Sequence, residues 1–325
     1  MDILKHLSCN VLSTVTQEAD EKTWLQNRSK GIGGSDIGAI CGVNKYSTPR
    51  LVYLKKTGQY EEPLKTDNAA KDRMRFGHLL EPIIAEEYAI RSGKKIAVSP
   101  ATLVHRDYPW ALANVDRFIV DDEGKPYGIL EVKTAGEFMN DMWDEGELPL
   151  YNIYQLNWYL WICNLEFGAF ACLVGGNKFY YYEVYRNDEL IAEMLEKGDK
   201  FWNYHVKELV EPPLTSNDTE FVNGKFSDVV KNSEIVLDNA IANDLAKKVK
   251  EIKASVKELE KQQDAAANAL KEMMANNEIA YTADYIIKWS PRSQQRVDSD
   301  KLKTMYPEVY TNCLKKISFR AFSVK

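Results

Sequence analysis

No CxxC pair occurs anywhere in the chain, and its five cysteines, Cys9, Cys41, Cys163, Cys172 and Cys313, are odd in number and scattered. That spacing argues against a structural zinc or iron–sulfur centre and for a reducing compartment. Histidine is scarce as well: His6, His78, His105 and His205 show no paired ligand spacing and read as structural. Nor is positive charge in excess, because 42 Lys and Arg against 48 Asp and Glu leave a net charge of −6. A global field that would hold nucleic acid is therefore missing, and any contact with phosphates must come from a local patch. No membrane span is expected: the uncharged run over residues 148–165 carries Pro149, Asn152, Gln155, Asn157 and Asn164, which a bilayer core would leave poorly satisfied. The N-terminus lacks a basic start followed by a long apolar core, and the expected location is the cytoplasm.

What is present is ordinary globular usage, 45% hydrophobic and 28% charged, over 325 residues, a length that suggests roughly two domains. Composition divides the chain into a mixed α/β region, 1–210, and a helical then extended tail, 211–325, with Glu211-Pro212-Pro213 and Asn217-Asp218 at the joint. Ser47-Thr48-Pro49 and Gly58 bracket a helix over residues 50–57. A second helix runs to about Arg91, with Pro82 placing Glu81 at a kink or just outside a fresh helical start. Residues 111–120 and 127–134 read as strands joined by a hairpin connection. Period-two alternation puts Leu130 and Val132 on one face of the second strand, and Ile129, Glu131 and Lys133 on the other. The uncharged helix follows, with Asn152, Gln155 and Tyr159 on one face and Ile153, Leu156 and Leu160 on its apolar side. Residues 167–175 and 178–185 form another hairpin, in which Tyr180-Tyr181-Tyr182 read as strand core, as Trp158 and Trp161 read as helix core. In the tail, Leu245, Val249, Ile252, Val256, Leu259, Gln263, Ala266, Leu270 and Met273 alternate steps of four and three, the seam of a long helix packed on a partner helix or on the body of the protein. Extended segments over residues 281–289 and 317–324 bracket a short helix near residues 299–305.

The strongest chemical signal is Asp116 followed by Glu131-Val132-Lys133 on the neighbouring strand. Phosphodiester cleavage at neutral pH needs a divalent ion to polarise the phosphate and lower the pKa of a water, and hard Mg²⁺ prefers carboxylate oxygens. Taken alone, such a pattern also fits a cross-strand ion pair on a wet face. The apolar run around it, GILEVKTA, argues instead for a strand covered on both faces, where a bare Glu–Lys pair would be costly. Residues 116–147 hold ten Asp and Glu against three Lys and Arg, an acidity that would repel DNA unless cations neutralised it. Eight basic residues, Lys45, Arg50, Lys55, Lys56, Lys65, Lys71, Arg73 and Arg75, face four acids over residues 45–75, fitting either a phosphate-tracking surface or a solvated face. GIGGSD is not a dinucleotide loop, because Asp36 stands where the third glycine belongs. Ser35 or Asp36 is expected to cap a helix over residues 37–41, with the glycines letting backbone amides approach a phosphate.

Four blocks in order, Arg28-Ser-Lys-Gly-Ile-Gly-Gly-Ser35-Asp36, Arg75-Phe-Gly-His-Leu-Leu-Glu81-Pro82, Asn114-Val-Asp116 with Glu131-Val-Lys133, and Tyr154-Gln155, resemble the YqaJ-like viral recombinases. These are relatives of phage lambda exonuclease within the PD-(D/E)xK nuclease superfamily. The resemblance covers most of residues 23–185, and the tail, with Trp289, Arg296, Asp298, Tyr306-Pro307 and Arg320-Ala-Phe322, is similar to extensions of some phage members. It implies a restriction-endonuclease-like α/β core with a mixed central β-sheet flanked by helices. It further implies that Glu81, Asp116 and Glu131 bind Mg²⁺, with Mn²⁺ as a substitute, that Lys133 orients water or stabilises charge, and that Gln155 bonds near the ion. For Glu81, the nearby Glu86 and Glu87 compete for the role, and Gln155 also fits as a cap on a buried backbone group. Arg28 and Ser35 would bind a 5′-phosphate.

The activity so implied is 5′-to-3′ exonuclease action on duplex DNA ends, yielding 3′ single strands for a RecT-type annealing protein in the bacterial cytoplasm, from a phage or prophage gene. A ring-shaped homo-oligomer, a trimer in that reading, would reconcile an acidic monomer with a DNA-lined channel. An endonuclease of restriction or repair type, and a non-catalytic recombination scaffold, stand as alternatives.

Overall fold

The structure is a computed structural model that describes residues 3–15, 19–60, 68–99, 101–230, 232–315 and 320–325. The chain divides into two units, residues 1–225 and 226–325. Residues 211–218, expected as the joint, belong instead to the first unit. The Thr48 hydroxyl donates to Asp218 Oδ1 at 2.5 Å in the interior, Arg50 pairs with Glu211, and Arg50 Nε donates to the Pro212 carbonyl at 2.7 Å.

The first unit opens with β1 (Asn10–Ser13), α1 (Glu21–Ser29), α2 (Gly34–Ile40) and α3 (Pro49–Lys56). The Thr48 hydroxyl caps α3 by accepting from the Leu51 amide at 3.2 Å, and Pro49 starts it with a preset φ. The next helix, α4 (Asn68–Ser92), continues through Pro82, so no fresh helix starts there. Proline removes the N–H that would have reached the His78 carbonyl and crowds that carbonyl with its ring. Beyond it, Ile84, Ala85 and Tyr88 are locked into a cluster with Ile119, Leu130 and Ala169, and that burial outweighs one lost helical bond.

Then come β2 (Lys95–Val98), β3 (Thr102–Val104), β4 (Leu112–Ala113), β5 (Arg117–Val120), β6 (Pro126–Ala135), α5 (Asn140–Asp144), α6 (Leu150–Cys163), β7 (Phe167–Val174), β8 (Lys178–Tyr185), α7 (Asp188–Lys200) and α8 (Thr219–Lys225). A small antiparallel sheet has the order β1-β3-β4, and the central sheet has the order β2-β5-β6-β7-β8. Only β6 and β7 run parallel in the central sheet, and α6 makes the crossover that a parallel pair requires. This is the mixed sheet with flanking helices that the resemblance implies. Residues 111–120 are not one strand, however: β4 joins the small sheet and β5 the central one, so Asp116 lies where the chain passes between them.

Both faces of β6 are covered. Leu130 and Val132 pack with the α4 residues, while Ile129 packs on the opposite side with Leu156 and Phe170. At the end of α6, Asn164 turns left-handed (φ 51°) and its amide returns to the Leu160 carbonyl, closing the helix.

In the second unit, α9 (Ala240–Met274) is capped by Asn239, whose side chain accepts from the Ala242 amide at 2.7 Å. An antiparallel hairpin, β9 (Ile279–Tyr281) and β10 (Ile286–Lys288), and the helices α10 (Ser299–Met305) and α11 (Pro307–Cys313) follow. Of the extended segment expected over residues 317–324, residues 317–319 lie outside the described residues, and the rest forms no strand. Among the described residues no helix is long and apolar enough to cross a membrane.

Candidate active site

A cavity of about 360 Å³ is lined by Arg28, Ser35, Glu81, Asp116, Lys133 and Gln155. Six of the seven residues singled out by the sequence thus share one space, although they come from α1, α2, α4, the β4–β5 connection, β6 and α6. The seventh, Glu131, is 2% exposed and reaches the same space through its partners. Its Oε1 accepts from Lys133 Nζ at 2.6 Å and from Gln155 Nε2 at 2.5 Å, and Lys133 Nζ also donates to Gln155 Oε1 at 3.1 Å. The triangle fixes all three side chains. Gly34 of α2 makes room for it: a Cβ there would lie 2.5 Å from the Tyr159 ring and 2.9 Å from Gln155 Cγ.

Asp116 Oδ2 accepts from the Val132 amide at 2.8 Å, which ties the carboxylate to the strand carrying Glu131 and Lys133. Glu81 does not point freely into the cavity. Its Oε1 takes Arg117 Nη1 at 2.6 Å, and the same nitrogen donates to the Asp116 carbonyl at 2.6 Å. Neither Glu86 nor Glu87 lines the cavity, and Glu87 instead pairs with Arg91 at 2.6 Å.

Burial pushes the Asp116 carboxyl well above the usual range, and the Glu131 charge pushes the same way. Burial likewise raises Glu131, with Lys133 offsetting part of the rise. For Lys133, burial acts downward, but the Glu131 and Asp116 carboxylates outweigh it and hold the ammonium above its ordinary value.

Among the described residues no group of three His, Cys, Asp or Glu is gathered closely enough to hold a metal ion outright. Two carboxylates nevertheless suit one. Glu131 Oε2 is buried and has no hydrogen-bond partner, and burial together with the Glu131 charge opposes ionisation of Asp116. A hard divalent cation satisfies both conditions, with oxygen donors of the kind Mg²⁺ prefers. Glu81 would join only by leaving Arg117. One measurable consequence follows from the sign of these shifts. A carboxyl raised in the fold contributes stability below its unfolded pKa, about 4, and loses it as pH climbs through the folded value. The metal-free protein is therefore expected to lose stability as pH rises, and a bound Mg²⁺ would restore it. At 100 times Kd the gain is about 2.7 kcal/mol, read as a rise in Tm that is larger at about pH 8 than at about pH 5.

The block over residues 28–36 is arranged differently from expectation. The helix starts at Gly34 rather than residue 37, with Gly33 at the N-cap; Asp36 caps it from the third helical position by accepting from the Gly33 amide at 2.9 Å, so that amide is already engaged. Ser35 Oγ instead accepts from Arg28 Nη2 at 3.1 Å, and the Arg28 guanidinium lies 4.5 Å from the centre of the Trp24 ring. Lys56 supports this corner by donating to the Arg28 carbonyl at 2.8 Å and pairing with Asp36 at 2.7 Å. Two members of the basic cluster, Arg50 and Lys56, are thus bound up in internal contacts, while Lys65 lies outside the described residues.

His78 is the residue whose sequence reading needs correction, since it lines the cavity. It lies three residues before Glu81 on α4, a spacing that places both on one helix face. With no second histidine at ligand spacing, it carries no metal-site signature in the sequence. Arg117, Asn114 and Thr102 line the cavity too, although of the three only Asn114 belongs to one of the sequence blocks, and Asn114 accepts from the Thr102 hydroxyl at 2.8 Å.

Residues 23–166 match the YqaJ-like viral recombinase domain. Over 312 residues, 95% of each chain, this chain is 36% identical to a protein of Bacillus subtilis (strain 168) named Uncharacterized protein YqaJ. It is also similar to LHK-Exo in complex with dAMP, an alkaline exonuclease from Laribacter hongkongensis, at 15% identity over 63% of this chain and 98% of that one, with a TM-score of 0.46. A phage related exonuclease from Haemophilus somnus 129PT is 12% identical over 56% of this chain and 96% of that one, with a TM-score of 0.43. With the domain matched across the residues that build the cavity, and identity to a YqaJ protein sustained along nearly its whole length, this chain belongs to the YqaJ-like viral recombinase family.

Proposed function

We propose that the chain is a Mg²⁺-dependent DNA exonuclease that hydrolyses duplex DNA 5′-to-3′ from 5′-phosphorylated ends and leaves 3′ single-stranded overhangs. The observation that supports this best is Glu131, a buried carboxylate with one oxygen clamped by Lys133 and Gln155 and the other left unpaired beside Asp116. A solvated ion pair would need neither the burial nor the clamp.

Asp116 and Glu131 would hold the ion, which supplies Lewis acidity at the phosphate and a lowered pKa for an attacking water. Lys133 stays protonated beside two carboxylates, and its ammonium stabilises negative charge as it develops on the phosphoryl oxygens. Gln155 holds the Lys133 and Glu131 side chains in register. Arg28 and Ser35, a guanidinium and a hydroxyl on the same cavity, suit a terminal phosphate dianion. In this reading the chain works on DNA ends as a homo-oligomer, a ring-shaped trimer, and passes the exposed 3′ strand to a RecT-type annealing protein.

Linear duplex with and without a 5′-phosphate, beside covalently closed circles, tests the proposal in Mg²⁺. Linear DNA is expected to disappear and circles to persist. Removing the 5′-phosphate slows the reaction about 10-fold or more, as one lost charge-assisted contact would, and Arg28→Ala abolishes that discrimination. Cleavage of circles would establish an endonuclease instead, and no metal-dependent loss of any substrate would leave a scaffold.

A further inference from the structure

α9 presents an apolar seam to solvent: Leu245 is 59% exposed, Ile252 53%, Val256 47% and Leu259 63%, and residues 247–266 are exposed on every side of the helix. A 35-residue helix, about 52 Å long at 1.5 Å per residue, draws its stability mainly from packing such a face. We propose that α9 pairs with α9 of a second copy of this chain in an antiparallel two-stranded coiled coil, centred between residues 257 and 258.

The seam itself selects direction and register. Heptad spacing puts Val249, Val256, Gln263 and Leu270 at a positions and Leu245, Ile252, Leu259, Ala266 and Met273 at d positions. Only Lys248, Lys253 and Glu260 carry charge at the flanking e and g positions of residues 245–273. In a parallel pair, Lys248 faces Lys253 of the partner subunit twice, which is repulsive. In the antiparallel pair with Val256 against Leu259 of the partner subunit, Lys253 faces Glu260 of the partner subunit twice, and no like charges meet. A slip by one heptad in either direction sets Lys253 against Lys253 or Glu260 against Glu260.

The attractive register is also the one of full overlap, because the midpoint of α9, residue 257, lies beside its centre. Side-chain sizes agree with it: Val249 meets Ala266, and Ala242 meets Met273, a small residue against a larger one each time. Gln263 falls opposite Ile252, so two symmetric layers carry the polar residue, one on each side of the centre.

Sedimentation equilibrium of the full chain reads the outcome, independently of nuclease activity. The double variant Val256→Glu/Leu259→Glu is expected to lower the mass to that of whatever assembly the first unit makes alone, and to leave hydrolysis of linear duplex unchanged. Both side chains are exposed in the protomer, so no core is disturbed. Lys253→Glu alone, and Glu260→Lys alone, weaken association about tenfold, since two attractions become two repulsions. Mixing the two variants restores it, because each copy then offers the other an opposite charge. An unchanged mass for the double variant would overturn the pairing and leave the seam to another protein. Failure of the mixture to recover would overturn the antiparallel register.

Discussion

Asp116→Asn is expected to lose about 10²–10³-fold or more in hydrolysis of linear duplex and yet to unfold at a higher temperature than the wild type in the absence of metal. The two effects share one cause. The carboxylate is held where burial and the Glu131 charge both oppose its ionisation, a placement that suits a cation and penalises the empty fold. Asparagine keeps an oxygen to accept from the Val132 amide and removes the charge. The gain in Tm should be largest at neutral to alkaline pH and vanish below about pH 4, where the wild-type carboxyl is protonated in the folded and unfolded chain alike. Lys133→Ala is the necessary contrast, since it also inactivates but lowers Tm by stripping Glu131 of its ion pair. Thermal scans of both variants with EDTA across pH, beside a nuclease assay in Mg²⁺, decide the matter. A lower Tm for Asp116→Asn at alkaline pH would mean that the acid is satisfied without metal.

Trp158→Ala should cost about 3–5 kcal/mol, the range for removing a large aromatic side chain from a packed core, and should disable the site as well. Trp158 is fully buried on α6, with its ring centre 4.8 Å from that of Trp161 and 6.0 Å from that of Trp110. Its indole Nε1 donates to the Leu112 carbonyl at 3.2 Å. That bond joins the helix carrying Gln155 to the strand that leads into Asp116. Trp158→Phe keeps most of the packing and loses the bond, so about 1 kcal/mol and a smaller fall in rate are expected. Chemical denaturation of the two variants separates the packing loss from the tether, and a Trp158→Phe variant as stable as the wild type would show that the tether contributes nothing.

Much of this arrangement is legible in the sequence where the cause is local. Thr48-Pro49 announces α3 because a hydroxyl and a fixed φ act within one turn. The two faces of β6 follow from strict alternation, and α9 from its heptads. The failures lie where distant partners decide. The division of residues 111–120 depends on β3, which captures β4 and leaves Asp116 between sheets. Residues 211–218 join the first unit through Thr48 and Arg50, more than 150 positions away. Pro82 is absorbed because the next turn of α4 packs against the sheet. Of the carboxylates, Glu131 sits on β6 and Asp116 immediately before its pairing partner β5, so the two could be matched from their spacing. Glu81 is engaged by Arg117, whose direction no pattern reveals.

The pairing of β6 with β7, from Gly128 opposite Phe167 to Ala135 opposite Val174, makes strand alignment and chemistry a single requirement. Slippage by one residue would swing Leu130 and Val132 into the cavity and bury Lys133 against α4. The turn just before β6 carries no such burden, since Asp121 closes it by accepting from the Glu123 and Lys125 amides with its own side chain. Length variation is therefore tolerable at residues 121–125 and ruinous ten positions later, which makes that loop the place to splice in a fluorophore or affinity tag.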